Sequence, residues 1–333
     1  MKRIGWITAV LAMAVSLLAR PVLAVELDIK GKSGLLMDVA TGTVLYEKNS
    51  HEPLAPASVT KVMTMLLIME AIDSGKISWE DTVTTSEAAF VEQMNARAKE
   101  LGMADTHFVN CTGLDDDPGA ESHRTSAHDI ALMSRELLTG HPNIKKYTTI
   151  WMDSIRGGSF GLSNTNKLVR FYPGCTGLKT GFTSGAGYCL SASAERDGME
   201  LIAVAMGSET SQKRNDACRG MLDFGFANYA HFTPALTEPA AVPVKLGVSE
   251  TVSAVLAEPG PLLVKKGEQI TTRTELMEEI DAPVEAGQPL GELTVERGGE
   301  VLAVLPLVAE GAVEKLTWSD LFARLLGRIA MGS

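Results

Sequence analysis

Two sets of alternating apolar positions predict hairpins in the first two-thirds of the chain. Residues 34–47, GLLMDVATGTVLYE, alternate between apolar and polar positions around a turn at residues 40–42. Residues 188–194 and 201–206 are rich in small and apolar side chains and flank a turn at residues 195–198. Because a strand points successive side chains to opposite faces, both patterns are typical of antiparallel strands.

Helical periodicity fills the region between the two hairpins and resumes after the second. Residues 55–70, APASVTKVMTMLLIME, form an apolar run that begins near Pro56, a residue that favours the first turn of a helix. Further helices are predicted over residues 90–101, 126–138 and 211–229. Strands at both ends with helices between them predict an α/β fold, in which an antiparallel sheet is flanked by helices, over residues 25–233.

From Pro234 onward, short alternating segments replace the helical pattern. The stretch GELTVERGGEVLAVLPLV alternates on both sides of Gly298-Gly299, a dipeptide typical of a tight hairpin turn. We therefore predict a small C-terminal all-β domain over residues 234–314. An amphipathic C-terminal helix is predicted over residues 315–333, with one apolar face formed by Trp318, Leu321, Phe322, Leu325, Leu326 and Ile329. Such a helix either lies on a membrane surface or packs on its own domain, and the pattern leaves both readings open.

The first residues have the pattern of a secretory signal peptide. Lys2 and Arg3 precede an apolar stretch over residues 4–18, and small residues at positions 22–24 suit a signal peptidase. The alternative is a membrane-spanning helix, which is disfavoured because the apolar run is short and is followed by Arg20 and Pro21. We expect a signal peptide over residues 1–24 and an exported, extracytoplasmic protein that begins near Val25.

Composition narrows the classes of function. The chain has 333 residues, of which 45% are hydrophobic, and a formal net charge of -11. This length allows a large core and two domains. An acidic exported protein is a poor candidate for binding nucleic acid, so no nucleic-acid partner is predicted.

The cysteines and histidines do not indicate a metal site. The chain has four cysteines without CxxC spacing, Cys111, Cys175, Cys189 and Cys218. They either form disulfides, in one of three pairings, or are small buried residues, and we favour the second reading. His123 and His128 are five positions apart, which is off helical register for a shared metal. No metal and no cofactor is predicted.

A serine and a lysine stand three positions apart at the start of the apolar run. On a helix, Ser58 and Lys61 would share one face and lie within reach of each other. A serine hydroxyl becomes a nucleophile when a base takes its proton, and lysine is such a base when its surroundings lower its pKa. The pair alone is weak evidence, because about one S-x-x-K is expected by chance in a chain of this length.

A second motif strengthens this interpretation. Residues 177–181 read GLKTG and come just before the second hairpin, so K-T-G leads into a strand. An isolated K-T-G is an ordinary turn sequence. The combination of S-x-x-K and K-T-G, in this order and after a signal peptide, is instead typical of penicillin-interacting serine enzymes.

With both motifs present, the sequence resembles the serine D-alanyl-D-alanine carboxypeptidases, a family of low-molecular-mass penicillin-binding proteins. The resemblance covers residues 34–331 and is carried by PASVTK, NTNKL, GCTGLKTGFT, AGYCLSASA and the region 206–214. It implies a transpeptidase/β-lactamase-like fold, followed by a small β domain and an amphipathic C-terminal anchor. It also implies that peptidoglycan stem peptides are substrates and that β-lactams acylate the enzyme.

The resemblance implies a role for each matching residue. Ser58 would form the acyl-enzyme, and Lys61 would accept its proton. The K-T-G residues and two further matching positions would bind the substrate, namely Lys179, Thr180, Gly181, Phe182 and Arg214. Among these, Phe182 would give the second backbone N–H to the oxyanion, beside that of Ser58. Arg214 would hold the terminal carboxylate, although on sequence alone a surface charge is an equally good interpretation.

The chain lacks the third motif of the family, S-x-N. No serine in the sequence is followed two positions later by asparagine. Residues 82–89, TVTTSEAA, run directly into residues 90–103, FVEQMNARAKELGM, where relatives place a further helical segment with S-x-N. We therefore expect an internal deletion. Loss of general-acid assistance typically costs about 10²- to 10⁴-fold in rate, and the loss of covering helices would leave Lys61 more hydrated.

Three hypotheses follow for the function. The first is a working D-Ala-D-Ala carboxypeptidase that trims stem peptides through an acyl-enzyme on Ser58. The alternative is a catalytically impaired penicillin-binding or wall-binding relative that keeps the fold. A β-lactamase is disfavoured because no glutamate is placed in sequence to activate a deacylating water.

Overall fold

Residues 27–82, 86–257 and 259–331 are described by a computed structural model of the chain. The segment predicted as a signal peptide, residues 1–24, lies outside them and stays a prediction. Within the described ranges, no helix is both long enough and apolar enough to cross a membrane.

Strands and helices alternate in the first part of the chain, and strands dominate the second. The strands are β1 (Ser33–Asp38), β2 (Val44–Lys48), β3 (Met152–Ile155), β4 (Phe160–Ser163), β5 (Cys175–Thr183), β6 (Gly187–Arg196), β7 (Met199–Ser208), β8 (Tyr229–Phe232), β9 (Ala240–Lys245), β10 (Thr251–Leu256), β11 (Leu262–Lys265), β12 (Ile270–Leu276), β13 (Ile280–Asp281), β14 (Pro289–Arg297) and β15 (Glu300–Ala309). The α-helices are α1 (Lys61–Asp73), α2 (Glu87–Glu100), α3 (Ala127–Gly140), α4 (Lys145–Thr148), α5 (Leu168–Phe171), α6 (Ser211–Asn228) and α7 (Trp318–Met331). Short 3-10 helices span Ala57–Thr60, Ala120–Ser122 and Pro142–Ile144.

The central sheet is antiparallel and has the strand order β2-β1-β7-β6-β5. The inner strands β1 and β7 are apolar on both faces, because helices cover the sheet on both sides. In β1, Leu35 and Met37 join one core cluster and Leu36 joins the other. These contacts confirm the predicted α/β fold with an antiparallel sheet between helices.

Different helices cover the two faces of this sheet. On one face, α1 and α3 bury residues such as Leu66 and Ile130 against β1 and β7. On the other face, α6 buries Met221 and Leu222 against Leu201 and its neighbours. The packing holds the start of α1 beside the edge strand β5, which is where the candidate site lies.

A second sheet forms the C-terminal part of the protein. Its strand order is β12-β14-β15-β10-β9-β13, and its core includes Val242, Leu293 and Leu307. The predicted turn at Gly298-Gly299 joins β14 to β15, with positive φ at both glycines. The short strand β8 pairs with β11, and His231 of β8 lies 2.8 Å from Asp38 of β1.

The C-terminal helix α7 leaves large side chains exposed. Trp318 is 88% exposed, Phe322 63% and Leu326 50%. A helix that packed on its own domain would bury these three positions. They therefore form an uncovered apolar surface on the described part of the chain.

The structure differs from the sequence prediction in two local respects. The hairpin of β3 and β4 was not predicted, although its turn contains Gly157 and Gly158 with positive φ. K-T-G comes before the second hairpin as predicted, but it lies inside a further strand, β5, at the edge of the sheet. Because β5 is an edge strand, one of its sides has no neighbouring strand. A ligand can therefore approach the residues on that side.

The four cysteines are free. Cys175, Cys189 and Cys218 are buried and Cys111 is half-buried, which agrees with the reading of most of them as small core residues. Among the residues described, no group of three or more histidine, cysteine, aspartate or glutamate side chains is placed to hold a metal ion.

Candidate active site

The serine of S-x-x-K lies on a tight turn at the start of α1. Ala57 has a φ of 48°, a left-handed conformation that is uncommon for a residue with a side chain. Ser58 follows it in the 3-10 helix Ala57–Thr60, which leads directly into α1 at Lys61. The turn therefore places Ser58 at the point where the chain enters the helix, with its side chain facing the cleft.

Two glycines allow other parts of the chain to approach this turn. A Cβ on Gly113 would lie 1.8 Å from the carbonyl oxygen of Ala57. A Cβ on Gly181 would lie 2.7 Å from the carbonyl oxygen of Pro56 and 3.1 Å from the backbone nitrogen of Ser58. The loop before α3 and the strand β5 thus both pack against the turn at distances that only glycine permits.

Lys61 is placed to exchange a proton with Ser58. Its Nζ lies 3.2 Å from Ser58 Oγ and donates to the carbonyl oxygen of Thr112 at 2.7 Å. Burial lowers the pKa of Lys61, although nearby Cys111 acts in the opposite direction. We expected a hydrated lysine from the missing S-x-N region, but residues 111 and 112 cover it in part.

Lys179 and Thr180 of the K-T-G motif face the same cleft from β5. Burial, together with the nearby charges of Lys61 and Arg214, lowers the pKa of Lys179 to about 8. Lys179 Nζ donates to the carbonyl oxygen of Thr180 at 2.6 Å. The Thr180 hydroxyl lies 2.6 Å from the hydroxyl of Thr165. A ligand in the cleft would therefore meet both a cation and a hydroxyl on one strand.

Arg214 is not a surface charge. It lies in the first turn of α6, is 5% exposed, and its guanidinium sits 5.8 Å from the ring centroid of Tyr188. Burial lowers its pKa. Its side chain donates to the neighbouring Asn215 Oδ1, and no acidic residue in the described part of the chain forms an ion pair with it. An uncompensated buried guanidinium is a strong site for a carboxylate.

One cavity of about 540 Å³ brings these residues together. It is lined by Ser58, Trp151, Ser163, Asn164, Thr165, Lys167, Lys179, Thr180, Gly181, Phe182, Tyr188, Ser211 and Arg214. None of these lining residues is acidic, whereas three are cationic. Each predicted site residue lines the cavity except Lys61, which reaches it through Ser58. The cavity suits an anionic ligand whose polar groups approach the hydroxyl of Ser58.

Several lining residues were not predicted as site residues. Thr165 and Lys167 belong to the NTNKL stretch, which carried the resemblance without an assigned role. Asn166 in that stretch donates to the carbonyl oxygen of Gly177 at 2.9 Å and so fixes the stretch against β5. Trp151 precedes the unpredicted hairpin of β3 and β4, and no local pattern indicated that it would reach the cleft.

Comparison with known proteins agrees with the geometry. A family model described as D-alanyl-D-alanine carboxypeptidase matches residues 20–89 and 85–210, and a model of the penicillin-binding protein 5 C-terminal domain matches residues 232–315. The D-alanyl-D-alanine carboxypeptidase DacF of Bacillus subtilis is 38% identical, with 91% of this chain and 90% of that protein covered. The chain belongs to the D-alanyl-D-alanine carboxypeptidase family.

Solved structures of such proteins share the fold of this carboxypeptidase. Penicillin-binding protein 5 of Haemophilus influenzae is 26% identical with a TM-score of 0.68, covering 86% of this chain and 98% of that chain. Penicillin-binding protein D2 of Listeria monocytogenes, in its ampicillin-bound form, is 28% identical with a TM-score of 0.55. It covers 60% of this chain and 99% of its own.

Gly181→Ala is expected to slow acylation of Ser58 by a β-lactam by about 10²-fold, because the added Cβ would push β5 away from the Ser58 turn. The rate of labelling by a fluorescent penicillin measures this. Gly161→Ala in β4 is the matched control, since its Cβ would meet no atom within 4 Å. Wild-type labelling rates in Gly181→Ala would contradict the predicted contact.

The affinity of the cleft for a peptide carboxylate is expected to fall as pH rises through about 8, because Lys179 loses its charge there. The loss should be roughly tenfold or more, the usual effect of removing one charge-assisted hydrogen bond. Titration calorimetry with a peptide ending in D-alanine measures it. Lys179→Arg should move the fall to higher pH, since arginine stays charged. Lys167→Arg, in the same cleft, should leave it in place, and a fall that persists in Lys179→Arg would refute the assignment.

Proposed function

We propose that this chain removes the terminal D-alanine from peptidoglycan stem peptides through an acyl-enzyme on Ser58. The observation that carries this proposal is the 3.2 Å contact between Ser58 Oγ and Lys61 Nζ, beside a cavity that Lys179 and Arg214 make cationic. A nucleophile with its base lies next to a seat for a carboxylate. A peptide that ends in a free carboxylate fits this arrangement.

Substrate binding begins at the buried Arg214 and the half-buried Lys179. Lys179, Thr180 and Arg214 would hold the terminal carboxylate by charge-assisted hydrogen bonds. This carboxylate-binding site contains two cations and no acidic side chain. The terminal carboxylate of the substrate would therefore neutralise positive charges that have no acidic partner in the cavity. Binding there directs the penultimate carbonyl carbon towards Ser58.

Acylation then requires two proton transfers at one lysine. Lys61, in its neutral form, takes the proton of Ser58 as Oγ bonds to the carbonyl carbon. The backbone N–H groups of Ser58 and Phe182 stabilise the oxyanion. The C–N bond breaks, the ammonium of Lys61 returns the proton to the leaving nitrogen, and D-alanine departs. Water then hydrolyses the ester and regenerates Ser58.

We also propose that the chain lacks a segment that relatives carry near residue 89. Two observations support this. The family model matches in two stretches, 20–89 and 85–210, which meet at that place. The alignment with DacF runs over 357 positions, more than the 333 residues of this chain. The absent S-x-N motif would belong to the missing segment, which leaves proton return to Lys61 alone.

The alternative function, a catalytically impaired wall-binding relative, is less well supported. Such a protein would not need a serine within reach of a lysine whose pKa is lowered by burial. The absence of S-x-N instead argues for a slower enzyme, by about 10²- to 10⁴-fold. A β-lactam is expected to acylate Ser58, as the ampicillin-bound form of the Listeria protein supports.

Incubation with a stem pentapeptide is expected to give the tetrapeptide and free D-alanine, detected by mass spectrometry, and a fluorescent penicillin should label the protein on Ser58. Ser58→Ala should abolish both, because within the described ranges Ser58 has the one hydroxyl that pairs with Lys61. Ser163→Ala removes another serine from the same cleft and should retain both. Labelling without D-alanine release would favour the impaired relative, and the absence of both would overturn the proposal.

We further propose that the protein is exported and lies on the outer face of the cytoplasmic membrane. Export is supported by the charged, apolar and small-residue pattern of residues 1–24. Peripheral membrane binding is supported by the exposed side chains of Trp318, Phe322 and Leu326 on one helix.

Residues 25–333 are expected to float with vesicles of phosphatidylethanolamine and phosphatidylglycerol in a density gradient. The double variant Trp318→Ser/Phe322→Ser should stay at the bottom, because it removes two of the large exposed apolar side chains described on α7. Trp79→Ser, which removes a half-exposed tryptophan elsewhere, should float like the wild type. Wild-type protein that does not float would exclude membrane binding by this helix.

A further inference from the structure

Two buried polar residues next to the active site have no role in the mechanism above. Thr60 is 0% exposed and His123 is 3% exposed, and neither lines the cavity. They are 2.8 Å apart, between Thr60 Oγ1 and His123 Nε2. Buried polar groups of this kind are kept in a core when each hydrogen bond is satisfied, so their partners indicate what they hold in place.

The hydrogen bonds of His123 determine which atom donates at each step in a series of hydrogen bonds that runs from Val109 to Ala57. The backbone N–H of Val109 donates to His123 Nδ1 at 3.0 Å, so Nδ1 is an acceptor. A neutral ring then carries its proton on Nε2 and donates it to Thr60 Oγ1. The Thr60 hydroxyl in turn donates to the carbonyl oxygen of Ala57 at 2.9 Å.

This series of hydrogen bonds ends at Ala57, the residue that sets the position of Ser58. Ala57 holds the left-handed conformation described above, and its carbonyl oxygen receives the Thr60 hydroxyl while Gly113 packs against it. A Cβ on Gly113 would also come within 2.6 Å of Thr60 Oγ1. The strained turn is thus held both by the Thr60 hydroxyl and by the close packing of Gly113.

The protonation state of His123 agrees with this direction. Burial, together with the nearby charges of His107 and Arg124, lowers the pKa of His123 to about 4. The ring is therefore neutral at ordinary pH. A protonated ring would place a second donor opposite the N–H of Val109, and the hydrogen bond between Val109 and His123 would be lost.

We propose that His123 is a positioning residue for acylation, which acts through the Thr60 hydroxyl to hold Ala57 in the conformation that presents Ser58. This inference rests on the proposed role of Ser58 as the nucleophile. It assigns the same function to Thr60, one of the two residues between the serine and the lysine of S-x-x-K, neither of which lines the cavity.

Thr60→Val and Thr60→Ser test the hydroxyl. Valine keeps the shape of threonine without its hydrogen bonds, so Thr60→Val should slow labelling of Ser58 by a fluorescent penicillin by about tenfold or more. Thr60→Ser restores the hydroxyl and should label within about threefold of wild type. In a Ser58→Ala background, Thr60→Val should leave the affinity for a D-alanine-ended peptide unchanged, because Lys179, Thr180 and Arg214 form the carboxylate seat.

A control separates positioning from general loss of stability. Ser134 Oγ and Ser191 Oγ form a buried hydrogen bond at 2.8 Å, on α3 and β6. Ser134→Ala removes a comparable buried bond and should lower the Tm without slowing labelling. If Ser134→Ala slows labelling as much as Thr60→Val does, the effect is one of stability and the inference fails.

His123→Asn tests the proposed coupling between His123 and Thr60. It also tests the positioning role of His123 if Thr60→Val does not fold. Asparagine keeps an acceptor for the N–H of Val109 but does not reach Thr60, so labelling should slow as in Thr60→Val. The double variant should be no slower than either single variant, because both changes break the same chain. Multiplied effects, or wild-type rates in either single variant, would overturn the inference. Wild-type protein that is not labelled on Ser58 would instead contradict the proposed function itself.

Discussion

The close approach of the edge strand β5 to the turn before α1 is the constraint on which the site depends. Gly181 lies so near Pro56 and Ser58 that the strand and the turn behave as one unit. The proposed nucleophile, Ser58, comes from one element, and Lys179 and Thr180, which are proposed to bind the substrate's carboxylate, come from the other. Backbone contact therefore sets the distance between Ser58 and the K-T-G residues. That distance does not depend on side-chain rotamers.

That contact also explains the electrostatics of the cleft. In the cleft beside the turn of Ser58, Arg214 of α6 is buried and Lys179 of β5 is half-buried, and the cavity-lining residues include no acidic partner for either. Burying unpaired charge costs free energy, and the lowered pKa of Lys179 reflects this cost. An anionic substrate relieves it. The D-alanyl-D-alanine carboxypeptidase thus gains affinity for its ligand at the expense of stability in the empty state.

Local patterns predicted the elements that carry the motifs, while tertiary contacts decided the rest. The hairpins of β1 and β2 and of β6 and β7 followed from alternation, and Ser58 with Lys61 followed from spacing. Thr165 and Trp151 reach the cleft only because other segments place them there, and no spacing rule connects them to Ser58. His123 is likewise 63 positions from its partner Thr60. Burial of Arg214 also depended on the fold, since an arginine in a first helical turn is usually exposed.

The position of β5 at the margin of the central sheet has a further consequence. Edge strands expose backbone donors and acceptors that can pair with another chain, which makes long, open edges prone to aggregation. Here the Ala57–Thr60 turn covers β5 near Gly181, and Asn166 occupies the carbonyl of Gly177. These contacts shorten the part of the edge that another strand could pair with. Because long bare edges are the ones that pair with other chains, the contacts that form the cleft should also limit edge-to-edge association.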